Sequence, residues 1–298
     1  MQKIALVSYT PSEQDFEHRW QDENLLKAPL ARRNIAVSTI EWDAPNVAWA
    51  SYDALIIRST WDYHLRYSEF LAWLQHVVAS GARLYNAPSL LMWNMDKVYL
   101  RELSAEGVPL LPTVFVAQGE AISLADVIAS HGWGEAVVKP SISAGGDNTW
   151  RVAASEAGQA QTRLDAQLSE MSVMIQQYAP QISMGEYSFL FFNGQFSHAT
   201  RKIPAQGDMF VHEHRGGKIY AYSAPAELIA QASNVVRQAQ KLNGALPLYA
   251  RVDSVLEGDR LILMELEMVE PYLYMPYADA YAPERLADAI AQRLMEGV

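Results

Sequence analysis

The stretch LYARVDSVLEGDRLILMELEMVEP, residues 248–271, restricts the fold more than any other part of the chain. Apolar and polar residues alternate over Tyr249–Leu256 and again over Leu261–Met268, with Glu257-Gly258-Asp259 between them. That pattern predicts two strands joined by a turn. Side chains two apart in a strand point the same way. Arg251 and Asp253 therefore share a face of the first strand, and Glu265 and Glu267 share a face of the second. If Gly258–Arg260 form a three-residue loop, Val255 pairs with Leu263 and Asp253 lies opposite Glu265. A two-residue turn at Gly258-Asp259 would pair Asp253 with Met264 and disperse the cluster.

Three carboxylates on one sheet face repel one another and resist desolvation. A hard divalent cation removes that cost, and Mg²⁺ is commonly held by a few carboxylates together with substrate phosphates. The alternative is the solvated outer face of a hairpin. Against it, Leu261-Ile262-Leu263-Met264 is apolar on both faces, which implies burial. Arg251 also shares the face and suits a phosphate. Both readings stand at this level.

The chain has 298 residues, half of them hydrophobic, enough for two or three packed units. A net charge of −11 argues against nucleic acid and against a membrane surface as partners. There is no cysteine, which excludes disulfides, thiolate catalysis and Cys–zinc sites. The N-terminal MQKIALVSYT begins a strand without the pattern of a signal peptide. No run reaches transmembrane length. A soluble cytoplasmic protein is the expectation, with a homo-oligomer left open.

Residues 1–86 alternate strands and helices, which implies an open parallel α/β unit. The strands are Lys3–Ser8, Ile35–Glu41, Ala54–Arg58 and Arg83–Tyr85; the helices are Glu23–Arg33 and Tyr67–Ser80. The first turn, Ser8-Tyr9-Thr10-Pro11, has no glycine fingerprint, which disfavours a dinucleotide. Ligands of such sheets sit beyond the carboxyl ends of the strands. Arg58-Ser59-Thr60-Trp61-Asp62-Tyr63 is either a substrate loop there, with Arg58 for a carboxylate and Asp62 beside it, or a surface loop around a buried tryptophan. A helix over Leu90–Glu106 carries Asp96-Lys97.

Lysine is scarce, seven against sixteen arginines. A lysine ending an apolar strand, as in Glu135-Ala136-Val137-Val138-Lys139-Pro140, resists burial unless it meets an anion. The following loop, Ser141–Thr149, contains Gly145-Gly146, so its backbone can approach a phosphate. It has no G-x-x-x-x-G-K-[ST] pattern, and an ordinary hairpin tip is the alternative. The strand Val173–Tyr178 ends in Gln176-Gln177-Tyr178. Asn193-Gly194 predicts a tight hairpin between Tyr187–Phe192 and Gln195–Ile203. The polar loop Gln206–Lys218 holds His212, His214 and Arg215-Gly216-Gly217; without a third ligand nearby, the histidines read as a hydrogen-bonding pair. Helices are expected at Ala226–Asn243 and Pro283–Met295.

Taken in order, these pieces resemble the ATP-grasp superfamily over roughly residues 86–275. They are a helix lysine, a strand-end lysine with a glycine-containing loop, a polar strand end, a Gly-Glu strand, an arginine strand and a D…E-x-E hairpin. The fold the resemblance implies is α/β (α+β): a pre-ATP-grasp parallel α/β domain at 1–86, then two ATP-grasp subdomains at 87–175 and 176–298. It implies ATP and Mg²⁺. Lys97 and Lys139 would hold phosphates under the loop containing Ser143, Ala144, Gly145 and Gly146. Gln176, Gln177 and Tyr178 would meet adenine and Glu186 the ribose. Asp253, Glu265 and Glu267 would be magnesium ligands, and Arg201 and Arg251 would meet the transferred phosphate or an acyl phosphate. Arg58, Asp62, Arg215 and Gly216 are candidates for the acid substrate. The family pattern E-x-N is here Glu265-x-Glu267, and the usual hinge Glu is Gln176; neither change removes a required donor or ligand.

Family members activate a carboxylate as an acyl phosphate and pass it to a nitrogen. Arg58–Tyr63, Tyr85–Pro88, Asp96-Lys97, Tyr249–Asp253 and Met264–Glu267 look like the cycloserine-forming cyclo-ligase group. That resemblance implies O-ureido-D-serine as a small amino-acid-like substrate. An intermolecular peptide-type ligase and a non-catalytic nucleotide-binding protein are the competing readings.

Overall fold

The computed structural model describes residues 1–10, 21–211 and 215–296. His212 and His214 lie outside the described residues. The chain forms three sheets. The first contains β1 (Gln2–Ser8), β2 (Ile35–Glu41), β3 (Ala54–Ser59) and β4 (Leu84–Tyr85), flanked by α1 (Gln21–Arg32) and α2 (Tyr67–Ala79). Its order is β2-β1-β3-β4 and every pairing is parallel. All six residues of β3 are buried, as helices on both faces of a parallel sheet require.

Residues 90–106, expected as one helix, form two: α3 (Pro88–Asn94) and α4 (Tyr99–Ala105). Tertiary partners break the helix. Asn94 is buried, donates to Leu266 O at 2.7 Å and accepts from Met268 N at 2.6 Å. Asp96 Oδ1 accepts from Val98 N at 3.1 Å, a local bond that competes with helix. Lys97 N donates outside the helix, to Ser141 O at 2.8 Å. Lys97 thus sits in the turn between the helices.

The second sheet contains β5 (Thr113–Val116), β6 (Glu135–Pro140), β7 (Trp150–Ala153) and β8 (Val173–Gln177), with α5 (Leu124–Ser130) and α6 (Ala157–Glu170) packed against it. It is antiparallel, in the order β5-β8-β6-β7. The third contains β9 (Glu186–Phe192), β10 (Gln195–Ile203), β11 (Lys218–Ala221), β12 (Tyr249–Glu257) and β13 (Arg260–Glu267), with helices α7 (Ala226–Asn243) and α8 (Ala282–Glu296). Its order is β11-β10-β9-β12-β13, with all pairings antiparallel. Asn193 and Gly194 close the β9–β10 hairpin with both φ positive, at 46° and 71°. The short β11 is not evident from the sequence pattern. One face of the third sheet packs Phe189, Phe191, Ala250 and Val252 against α4 and α7. Leu190, Phe192 and Tyr249 pack with residues of β1, β3, α1 and α8.

The β12–β13 hairpin brings Asp253 opposite Glu265 by a route the sequence did not show. The loop is the two-residue one: Glu257 pairs with Arg260, Val255 with Ile262 and Ser254 with Leu263. Met264 is then an extra residue, and after it Asp253 pairs with Glu265 and Arg251 with Glu267. The expected Val255–Leu263 pairing does not occur. A bulge re-aims side chains in just this way. Leu263 N donates to Pro109 O at 2.9 Å beside it, tying the hairpin to the 108–111 segment.

Asn86 joins the first sheet to the third. Its Nδ2 donates to Tyr249 O at 3.0 Å and Met268 O at 2.7 Å, and its Oδ1 accepts from Leu248 N at 2.6 Å. Asn86→Ala leaves three backbone groups without these partners in a dry site. We expect about 3 kcal/mol lost and a melting temperature lower by roughly 6–12 °C. An unchanged melting curve would refute the role.

Candidate active site

The site is one face of the third sheet with the second sheet across from it. Alternation along the strands puts Glu186 and Ser188 of β9, Lys202 of β10, Arg251 and Asp253 of β12, and Glu265 and Glu267 of β13 on this face. Asp253, 2% exposed, accepts from Ser188 Oγ, from Arg251 Nε at 2.9 Å and from Lys202 Nζ at 3.2 Å. Burial raises its carboxyl, but Arg251, Lys202 and the Ser188 bond outweigh that and hold it at about 2. Lys202 Nζ also binds Glu186, and Arg251 binds Glu267. Burial works against charge on Lys202, yet Asp253 and Glu186 hold its ammonium well above the usual range.

Lys97 and Lys139 complete the set. Lys97 Nζ donates to Ser143 O at 2.6 Å and lies 3.3 Å from Glu265 Oε1. Burial raises the Glu265 carboxyl, and Lys97 with Lys139 more than reverses the shift. Lys139 makes no hydrogen bond or ion pair among the described residues. Burial lowers its ammonium from 10.5 to about 8; Glu265 opposes the shift and Lys97 adds to it. It faces the cavity that Glu186, Asp253 and Glu265 also line. Above it runs the Ser141–Thr149 loop, where Gly145 and Gly146 both have positive φ, 61° and 74°. A Cβ on Gly145 would meet nothing within 4 Å, so the loop has open space beside it.

The cavity holds about 910 Å³, counting the part open to solvent. Lys97, Lys139, Ser143, Ala144, Gly145 and Gly146 line one end, and Gln176, Gln177 and Tyr178 the other. All three residues of the expected hinge line the cavity. Gln177 N donates to Pro112 O and Tyr178 N to Glu135 O, while the Gln176 amide donates to Thr113 Oγ1 at 2.9 Å. Ala179 lines the cavity, and its N–H donates to no group among the described residues. Glu186 also lines the cavity, engaged with Lys202.

Several expected residues face elsewhere. Arg201 donates to Met184 O and lies over the Tyr187 ring, on the opposite face from Lys202. The sequence placed both at the end of one strand; only the pairing of Lys202 with Glu186 decides which points inward. A Cβ on Gly185, at φ 118°, would lie 2.9 Å from Arg201 Nε, so glycine is required where that arginine crosses. We expect Lys202→Met to lower turnover by roughly 10²-fold or more, and Arg201→Ala to stay within about threefold. Comparable kcat/KM losses in the two variants would contradict the assignment.

Arg58 is 1% exposed: it donates to Pro271 O at 2.8 Å and lies 3.5–3.7 Å from Glu23 and Asp22. Asp62 accepts from Trp42 Nε1 at 2.9 Å and faces Arg66. Their loop reaches the site through Trp61 instead, whose indole donates to Glu270 O at 3.2 Å. Arg215 is exposed and stacks on Phe210, which lines the cavity, with Gly216 beside it. Glu270, buried beside Glu267, was missed; burial and Glu267 push its carboxyl well above the usual range.

No three His, Asp or Glu side chains among the described residues are disposed to hold a metal ion. The cause is local: Asp253 and Glu267 are turned onto Arg251, and Glu265 onto Lys97. The donor chemistry, hard carboxylate oxygens beside phosphate-suited cations, nevertheless fits Mg²⁺ carried by a polyphosphate.

The family described as D-cycloserine synthetase DcsG, N-terminal domain, matches residues 4–86, and that described as prokaryotic glutathione synthetase, ATP-grasp domain, matches residues 101–246. The cycloserine biosynthesis protein DcsG of Streptomyces lavendulae is 32% identical over 269 residues, 87% of this chain and 89% of its own. The chain belongs to the ATP-grasp ligases, in the DcsG family. Its enzyme class is that of ADP-forming carbon–nitrogen ligases. The crystal structure of D-cycloserine synthetase DcsG superimposes with a TM-score of 0.86 at 29% identity, covering 98% of this chain and 99% of that one. The D-alanine–D-alanine ligase of Bacillus anthracis complexed with ATP superimposes at 0.70 with 15% identity, covering 99% and 98%, which bears on the fold alone. Glutathione synthetase of Bordetella pertussis is 24% identical over 57% of this chain and 52% of its own. No described helix is long and apolar enough to cross a membrane.

Proposed function

We propose that this ligase activates a small amino-acid-type carboxylate with ATP and closes it onto a nitrogen of the same molecule. The 32% identity to a cycloserine biosynthesis protein and the likeness to D-cycloserine synthetase favour D-cycloserine as product, and the resemblance to the cyclo-ligase group favours O-ureido-D-serine as substrate. The observation that carries the ATP half is Lys139: a half-buried cation without a hydrogen bond or ion pair among the described residues, lining the cavity with Glu265 and with Gly145 and Gly146 of the loop. Lys97 and Lys139 hold the phosphates, Ser143–Gly146 cover them, Ala179 N–H meets an adenine ring nitrogen, and Glu186 faces the ribose. Asp253, Glu265 and Glu267 are the residues that would hold Mg²⁺, which when bound would neutralise charge on the phosphates.

A substrate carboxylate oxygen attacks the γ-phosphorus, and the bond from that phosphorus to the β–γ bridging oxygen breaks. ADP leaves and an acyl phosphate forms. The nitrogen then attacks the acyl carbon, the C–O bond to phosphate breaks, and the departing phosphate takes up the nitrogen's proton. Lys202 and Arg251 face the charge that develops, and positioning with charge neutralisation is what such a transfer needs. We assign the division into 1–86, 87–175 and 176–298 to the working parts, with the second boundary moved to the end of β8 at Gln177, and a cytoplasmic location.

The test is ATP consumption with Mg²⁺ across a panel of acids, with and without added amines, separating ADP from AMP. ADP release with O-ureido-D-serine alone is expected. ADP only with an acid–amine pair would replace ring closure by intermolecular ligation, as the glutathione synthetase similarity allows. AMP as product would refute the acyl phosphate.

A further inference from the structure

Three side chains lie directly opposite one another on one face of the second sheet: Thr113 on β5, Gln176 on β8 and Val137 on β6. The next row on that face is Phe115, Met174 and Lys139. Gln176, Val137 and Lys139 all line the cavity, whereas Thr113 does not. Gln176 is 3% exposed. Its Nε2 donates to Thr113 Oγ1 at 2.9 Å, and Thr113 Oγ1 donates in turn to Leu111 O at 2.8 Å. A hydroxyl has one proton to give, and a carbonyl oxygen can only accept. The Thr113 proton therefore goes to Leu111, and its oxygen meets Gln176 as an acceptor. The amide must turn its NH₂ group toward Thr113, because the reverse orientation would set two acceptors against each other. This order of donors fixes which way round the amide stands. Gln176 Oε1 is left over and accepts no hydrogen bond among the described residues.

We propose that Thr113 is a positioning residue for selection of the nucleotide base. By holding the Gln176 NH₂ group it leaves Oε1 as an acceptor on the cavity wall, which takes the ring amino group of adenine and rejects an oxo group in its place. The inference rests on the ATP reading above. An oxo group brought against Oε1 leaves two desolvated oxygens unpaired, and a polar site discriminates most strongly in that situation. A carboxylate at position 176 would present an acceptor whichever way it turned. An amide does so only one way round, so its selectivity depends on what holds its other end. Thr113 acts only through Gln176.

The experiment measures the affinities of Mg-ATP and Mg-ITP by calorimetry, with each variant checked by thermal melting. ITP carries an oxo group in place of the amino group and a proton on the neighbouring ring nitrogen. The Ala179 N–H assigned to that nitrogen is the same in every variant, so differences among variants report on the amino position. The wild-type chain is expected to favour ATP by roughly 10²-fold or more. Thr113→Val keeps the shape, removes the acceptor and frees the amide to turn; the ATP-to-ITP ratio should fall by about tenfold or more, chiefly through tighter ITP binding. Thr113→Ser, which keeps the hydroxyl, should stay within about threefold of the wild-type ratio. In a Gln176→Glu background, Thr113→Val should change the ratio by less than about threefold, because a carboxylate has no wrong orientation. A wild-type ratio near one, an unchanged ratio in Thr113→Val, or an equal fall in the Gln176→Glu background overturns the proposal. If the wild-type chain binds neither nucleotide, the ATP reading falls instead. NMR of isotope-labelled glutamine side chains then decides the role of Thr113. The Gln176 NH₂ pair, identified by its absence in Gln176→Glu, should exchange slowly with solvent in the wild type and rapidly in Thr113→Val. Equal exchange in the two overturns the positioning role.

Discussion

Lys139→Ala is expected to lower acid-dependent ADP release by roughly 10²–10³-fold, the loss typical when one preorganised donor to developing charge is removed. The fold should survive, because the Lys139 ammonium has no hydrogen bond or ion pair to lose among the described residues. Its pKa supplies the sign. The folded value, about 8, lies below the unfolded 10.5. Protonating this half-buried amine therefore opposes folding fully below about pH 8, and the penalty fades as pH rises toward 10.5. Alanine removes that penalty, so the melting temperature at pH 7 should not fall by more than about 2 °C. ATP reverses the local field: phosphate beside the ammonium favours the charged form. Binding near pH 8.5 should take up a proton, read by calorimetry in two buffers of different ionisation enthalpy, and Lys139→Ala should abolish the uptake. Full activity in the variant would refute the phosphate role.

Asp253→Asn is the second large effect, and it strikes both stability and turnover. Asp253 is the counter-charge for Lys202 and Arg251 at once. An amide of the same shape leaves two buried cations with less compensation, which costs about 3 kcal/mol or more. Turnover should fall by roughly 10²–10³-fold as both cations lose their fixed positions. The carboxyl sits at about 2 when folded and 3.8 when unfolded. Its contribution, about 2 kcal/mol, is present above pH 4 and lost as pH falls toward 2. The acid limb of the stability profile should therefore be shallower in the variant. Wild-type turnover, or an unchanged acid limb, would remove Asp253 from the centre of the site.

The active-site face is legible wherever a rule of short range decides it. Alternation places Arg251 with Asp253 and Glu265 with Glu267, and the structure keeps both pairs. Asn193-Gly194 forms the tight hairpin its sequence demands. Misreadings begin where a side chain's partner is distant in the chain. Periodicity reads 90–106 as one helix because it cannot see Asn94 bonded to Leu266 and Met268. Arg58 at a strand end looks available, yet Pro271, 213 residues away, takes it. Arg201 and Lys202 are adjacent cations with equal claims until β9 supplies Glu186 opposite Lys202.

Most of the strands and helices, the strand-end position of Lys139, the glycine-containing loop and the carboxylate hairpin follow from residues near one another in the chain. Their information is local, since propensity, alternation and turn chemistry act over a few residues. The bulge at Met264, the inward turn of Lys202, the burial of Arg58 and the bonds from Leu273 N and Met275 N to Asp22 belong to the tertiary structure. Each depends on a register or hydrogen bond between segments far apart, and a one-residue shift in such a pairing exchanges the faces of a strand.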